Sequence, residues 1–164
     1  MNRHYRLPEY KRLIAELREK IPGLALTTDL IVGFPGETEE LFQETLETLK
    51  ELKFSGIHVF PYSERTGTPA AGYPNQVPNE IKKQRVHRVQ ELEKEISREY
   101  RARFMGKTVC VLAEEVKDGY FEGLTEEYIR VSIRSQGVER GGMYNELIDT
   151  MTDDGLSGVL AKEE

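Results

Sequence analysis

Leu24-Ala25-Leu26-Thr27-Thr28-Asp29-Leu30-Ile31-Val32-Gly33-Phe34 is almost unbroken in apolar and β-branched residues, and Pro35-Gly36-Glu37-Thr38 then turns the chain. Such a run predicts a strand buried on both faces, as in a parallel sheet. Thr38 suits a helix N-cap, with Glu39 and Glu40 favouring the dipole of a first turn. Leu41, Phe42, Thr45, Leu46, Leu49 and Leu52 then recur at helical spacing. Upstream, Pro8 fits the first turn of a helix over 8–21, which Pro22-Gly23 stops. Downstream, Gly56-Ile57-His58-Val59-Phe60-Pro61-Tyr62 predicts a second strand. The order α-β-α-β is the grammar of parallel βα units.

Residues 63–79 read as a loop, long enough to favour function over linkage. From Asn79 to about Phe104 the spacing predicts one long helix, with Ile81, Val86, Val89, Leu92, Ile96, Tyr100 and Phe104 inward. Gly106 ends it as a C-cap would. The grammar then changes. Short strands are predicted over Lys107–Val116, Tyr120–Thr125, Tyr128–Ile133, Met143–Met151 and Gly158–Ala161, with Asp118-Gly119 as a hairpin signal. Five short strands in so few residues suggest a small antiparallel barrel of the oligonucleotide-binding type. The fold class is therefore α/β followed by a small β-barrel, with domains at 1–105 and 106–164.

The 164 residues include one cysteine, Cys110, which excludes an internal disulfide, a cysteine-based zinc site and a self-contained iron–sulfur cluster. No apolar run approaches the roughly 20 residues that span a bilayer, and no signal peptide opens the chain, so a cytoplasmic setting without membrane is expected. The net charge is −6. It divides unevenly: residues 1–105 hold 17 basic and 16 acidic side chains, and residues 106–164 hold 6 and 13. That acidity argues against a protein that simply coats nucleic acid.

The Gly33–Thr38 turn stands at the carboxyl end of a predicted strand, where α/β sheets place ligands. Its glycines either let a ligand approach the backbone or serve only the geometry of a tight βα turn. It is not a P-loop, because no lysine follows the second glycine. Asp29, in an apolar strand, is costly unless hydrogen-bonded or used. His58, Phe60 and Tyr62 share a strand face, and a lone strand histidine is more often packed than catalytic. Arg65 either meets an anion or faces solvent. In the long helix Lys82, Lys83, Arg85, Arg88, Lys94 and Arg98 alternate with glutamates, which favours a solvated face over an RNA-tracking stripe. Cys110 reads as core. No nucleophile–base pair is evident, so no catalytic or metal-ligating residue is assigned.

Three exact strings go further. Met1-Asn2-Arg3-His4-Tyr5, Thr28-Asp29-Leu30-Ile31-Val32-Gly33-Phe34-Pro35-Gly36-Glu37-Thr38 and His58-Val59-Phe60-Pro61-Tyr62-Ser63-Glu64-Arg65-Thr66-Gly67-Thr68-Pro69-Ala70-Ala71 resemble, in order and spacing, the radical S-adenosylmethionine methylthiotransferases. The segment from Gly106 resembles the TRAM domain that ends those enzymes. The resemblance implies the last βα units of a radical SAM (TIM-like) barrel, followed by an OB-like TRAM barrel. It also implies a longer enzyme preceding Met1, with two [4Fe–4S] clusters whose cysteines are absent here, so this chain alone is expected to be inactive. The His58–Ser63 string is most similar to the branch that acts on threonylcarbamoyladenosine at position 37 of tRNA.

For cofactor contact, the resemblance points to Arg3, Asp29, Ile31, Gly33, Glu37, Phe60 and Tyr62 around S-adenosylmethionine. For RNA contact it and the charge pattern point to Arg65, Lys107, Arg130 and Arg134. The implied partners are the tRNA anticodon stem-loop and the preceding part of the enzyme. An open barrel edge would invite aggregation or a non-native dimer. The competing readings are a non-catalytic RNA- or protein-binding module, the isopentenyladenosine and ribosomal-protein branches of the family, and, more weakly, a phosphate-binding enzyme built on Gly33–Thr38.

Overall fold

The computed structural model describes residues 4–117, 120–134 and 138–161. The chain forms two compact units, Met1–Ser97 and Arg98–Glu164.

The first unit runs α1 (Leu7–Lys20), β1 (Thr27–Val32), α2 (Glu39–Leu52), β2 (Gly56–Pro61), a 3-10 turn (Pro69–Gly72) and most of α3 (Asn79–Ala102). Local chemistry sets the ends. Thr38 caps α2 by accepting the Leu41 N–H at 3.3 Å, and Lys53 closes it in the left-handed region at φ 45°. β1 and β2 pair in parallel, from Thr27 opposite Gly56 to Val32 opposite Pro61. Tyr62 extends the pairing, its N–H donating to Val32 O at 2.8 Å.

Successive side chains of a strand point to opposite faces. Leu30, Val32, Ile57 and Val59 join Ile14, Phe42, Leu46, Leu49, Leu52, Phe54, Val89, Leu92 and Ile96 in one core cluster. Thr27, Asp29 and Ile31 of β1, with His58 and Phe60 of β2, are exposed on the other face. The expectation of a strand buried on both faces therefore fails. Core residues lie behind one face of this two-stranded sheet only. Asp29 is exposed as a consequence, and its carboxylate bears none of the burial cost that the sequence suggests.

The second unit is a closed five-stranded barrel, β3 (Thr108–Lys117), β4 (Tyr120–Thr125), β5 (Arg130–Arg134), β6 (Met143–Met151) and β7 (Leu156–Leu160). The ring order is β3-β4-β5-β7-β6. Four pairings are antiparallel and β5–β7 is parallel, so the barrel is not purely antiparallel. Parity explains this. A closed ring with an odd number of strands cannot alternate direction all the way round, so one neighbouring pair must run the same way. Val111, Ala113, Phe121, Val131, Ile133, Ile148 and Leu156 fill the interior. Cys110, expected in the core, is only half-buried.

The barrel bends through two irregularities, at Ala113/Glu115 and at Ile148/Thr150. Each lies beside a glycine of the neighbouring strand: Gly123 pairs with Ala113 and Gly158 with Ile148. A Cβ at Gly123 would sit 2.2 Å from Leu112 O, and one at Gly158 would sit 2.1 Å from Leu147 O. Only glycine permits backbones that close at the bends of so small a barrel.

Candidate functional site

The carboxyl ends of β1 and β2 bring most of the sequence-predicted residues together. Val32 gives way to Gly33 at φ 73°, a left-handed conformation that a side chain resists. Glu37 folds back to close the turn. Its carboxylate accepts the Gly33 N–H and also the Arg85 Nη1–H, at 3.0 Å. Arg85 donates to the Glu37 carbonyl as well, at 3.1 Å. The Glu37 carboxylate is thus committed to holding the turn on α3. Beside it, the hydrogen bond from Arg88 holds the Glu39 carboxyl below its ordinary range, with Arg88 and Arg85 charge adding to the effect.

The exposed sheet face has its own order. Asp29 lies opposite His58 and Ile31 opposite Phe60. Ile31 is 38% and Phe60 52% exposed, two large apolar side chains side by side near the strand ends. Phe34 packs edge-on against Tyr62, with ring centroids 5.2 Å apart, and against Tyr73 at 6.3 Å. Arg65 is exposed in the following loop. Arg3 lies outside the described residues.

Two basic residues of α3 depart from the expected solvated face. Lys82 is 6% exposed and Arg85 4%. Arg85 is buried because Glu37 pairs with it and the Phe42 ring lies 5.1 Å from its guanidinium carbon. The stem of Lys82 crosses the space that a Gly33 side chain would occupy: a Cβ built there meets Lys82 Cγ at 2.4 Å. The signal for both is in the spacing. Positions 82, 85, 89, 92 and 96 follow the same i, i+3, i+7 stripe, and only its last three members are apolar.

In the barrel unit, the proposed RNA contacts are more dispersed. Lys107 is exposed just before β3, and Arg130 is exposed at the start of β5, a strand not adjacent to β3 in the ring. The Arg130 guanidinium pairs with Glu122 at 3.1 Å. Arg134 is in β5, with its side chain outside the described residues. Sequence reasoning also passes over Glu146. It is fully buried on β6, and neither carboxylate oxygen has a hydrogen-bond partner among the described residues. Burial pushes its carboxyl up to about 7.

Among the described residues, no three His, Cys, Asp or Glu side chains cluster as metal ligands would. No helix among them is long and apolar enough to cross a membrane.

No family model matches the chain. Individual relatives do. A protein of Acetivibrio thermocellus named tRNA-2-methylthio-N(6)-dimethylallyladenosine synthase is 43% identical over 99% of this chain and 34% of its own length. The Bacillus subtilis threonylcarbamoyladenosine tRNA methylthiotransferase MtaB is 43% identical over 80% of this chain and 30% of its own. The Heliobacterium modesticaldum ribosomal protein uS12 methylthiotransferase RimO is 47% identical over 77% and 28%. The chain spans about a third of the length of the curated relatives it matches. Identity at this level, carried through both the βα unit and the barrel by the first of these relatives, places the chain in the methylthiotransferase family.

Proposed function

We propose that this chain forms the cofactor-framing and RNA-facing part of a radical S-adenosylmethionine tRNA methylthiotransferase. The observation that carries the proposal is the 43% identity over 99% of the chain to a relative named for a methylthiolated tRNA adenosine. The exposed face of β1 and β2 supports it. In register, Ile31 and Phe60 present an apolar strip at the ligand-binding end of the sheet, flanked by Asp29 and His58. We assign that strip to the flat face of an adenine, and the exposed carboxylate of Asp29 to hydrogen bonds from a ribose. When bound, S-adenosylmethionine supplies the radical and the methyl group of such a reaction. The part of this chain is to bind and orient: the Gly33–Glu37 turn, locked by Arg85, fixes where the strand ends stand.

The residues present do not fit a [4Fe–4S] cluster. Four thiolates are usual, and the chain has one cysteine. The chain is accordingly proposed to be inactive by itself, and no step is derived through a cluster. Anaerobic incubation with iron and sulfide tests this: a stable cluster spectrum with cleavage of S-adenosylmethionine would overturn it.

For the substrate branch, the His58–Ser63 string supports the threonylcarbamoyladenosine reading. Binding of the chain to anticodon stem-loops carrying that nucleoside or dimethylallyladenosine, and to ribosomal protein uS12, discriminates. Preference for the first supports the branch; preference for either of the others replaces it.

A further inference from the structure

A cleft of about 490 Å³ opens beside the carboxyl end of β2, lined by Pro61, Tyr62, Ser63, Glu64, Asn79, Lys82 and Lys83. We propose that it is an anion site that grips a backbone phosphate of the RNA. This rests on the tRNA reading above and names a contact within it.

Lys82 is the central observation. It is only 6% exposed, yet among the described residues its ammonium has no carboxylate and no hydrogen-bond acceptor. Its nitrogen lies 5.2 Å from the centre of the Tyr62 ring, a cation–π contact that helps to hold the ammonium in position. The stem is buried while the ammonium opens onto the cleft with no carboxylate beside it, so an arriving anion meets an unneutralised cation that is already held in place. The Tyr62 hydroxyl is a second orphan, buried and without a partner among the described residues.

The remaining walls are rich in donors. Ser63 adds a hydroxyl, Lys83 a second ammonium at the rim, and α3 starts at Asn79, so its first N–H groups lack intrahelical acceptors. Glu64 is the one acidic residue in the lining. Two ammoniums and several neutral donors around one carboxylate suit a tetrahedral oxyanion better than a cation or an apolar group. Gly33 is part of the device: its missing side chain is what lets the Lys82 stem pass beneath the β1 turn to reach the cleft.

The test combines RNA and free phosphate. Anticodon stem-loop affinity is measured against salt for the chain, for Lys82→Met, which keeps the buried stem, and for the fold-neutral rim variant Lys83→Gln. The chain's affinity is expected to fall about tenfold in Lys82→Met, as removal of one charged hydrogen bond would produce, and less in Lys83→Gln. The salt slope should fall by about 0.7 for each phosphate that is no longer neutralised. Lys50→Met, an exposed lysine of α2, should change neither. In parallel, inorganic phosphate should shift the amide resonances of Ser63, Asn79 and Lys83 in the chain and not in Lys82→Met. Unchanged RNA affinity and slope in both cleft variants would overturn the proposal. If the chain binds no RNA but phosphate still shifts those amides, the tRNA reading fails while the anion site stands; absence of both responses overturns the site itself.

Discussion

Arg85 Nη1 lies 3.0 Å from Glu37 Oε2, and the two side chains are only 5% and 13% exposed, so a buried ion pair ties α3 to the turn after β1. Removing one partner of such a pair strands the other charge away from water. Arg85→Met should therefore destabilise the first unit by about 3 kcal/mol. Glu37→Gln should cost less, because Arg85 keeps its hydrogen bond to the Glu37 carbonyl. Urea denaturation of the two variants checks the order; equal midpoints would show that the pair does not anchor the turn.

Gly33 and Gly36 both have positive φ, at 73° and 85°, but their surroundings differ. Nothing lies within 4 Å of a Cβ at Gly36, so Gly36→Ala should cost only the left-handed strain, roughly 1 kcal/mol. A Cβ at Gly33 adds a collision with the buried stem of Lys82. Gly33→Ala should be the more destabilising of the two in urea and should also displace Lys82, lowering stem-loop affinity. An identical loss for both alanines would remove the steric argument.

The strands and helices are legible in the sequence because their signals are local. Helical spacing over residues 41–52 and turn residues between short β-runs are read from neighbours in sequence, and the five barrel strands fall close to their predicted places. Exposure of β1 is not legible, since an apolar run says nothing about how many elements the chain supplies to cover it. The parallel β5–β7 pair follows from ring closure, which a series of strands does not reveal until the ring is known. At the site, matched strings point to Gly33, Ile31, Phe60 and Tyr62. The burial of Lys82 and Arg85 is visible only as charge on an otherwise apolar stripe, and reading it needs the partner, Glu37, from 48 residues away.

Gly158 lies opposite Ile148 at one bend of the barrel, with Leu147 O where a Cβ would stand. That oxygen belongs to the backbone, which cannot swing aside as a side chain does. Gly158→Ala should weaken pairing of β6 with β7 and raise exchange of the amides there, by about tenfold or more, before it affects the first unit. Gly141→Ala, with nothing within 4 Å and φ 84°, serves as the control for strain without collision. Similar exchange in both variants would argue that backbone approach at Gly158 is not limiting.

Glu146 gives the barrel a pH dependence whose sign can be worked out. Its carboxyl stands at about 7 when folded against an ordinary 4.5, because burial disfavours the charged form. Below pH 4.5 it is protonated in both states and costs nothing. Between 4.5 and 7 the unfolded chain releases the proton while the barrel retains it, so stability falls as pH rises. Above 7 the penalty is complete, about 3 kcal/mol. Glu146→Gln cannot ionise, although its amide is just as buried and as short of partners, so its absolute stability is not the readout. The difference between pH 5 and pH 8 is. Hydrogen exchange of the barrel amides should show the chain losing about 2.5 kcal/mol more than the variant across that interval, and the same loss in both would mean that Glu146 is ionised or solvated inside the barrel.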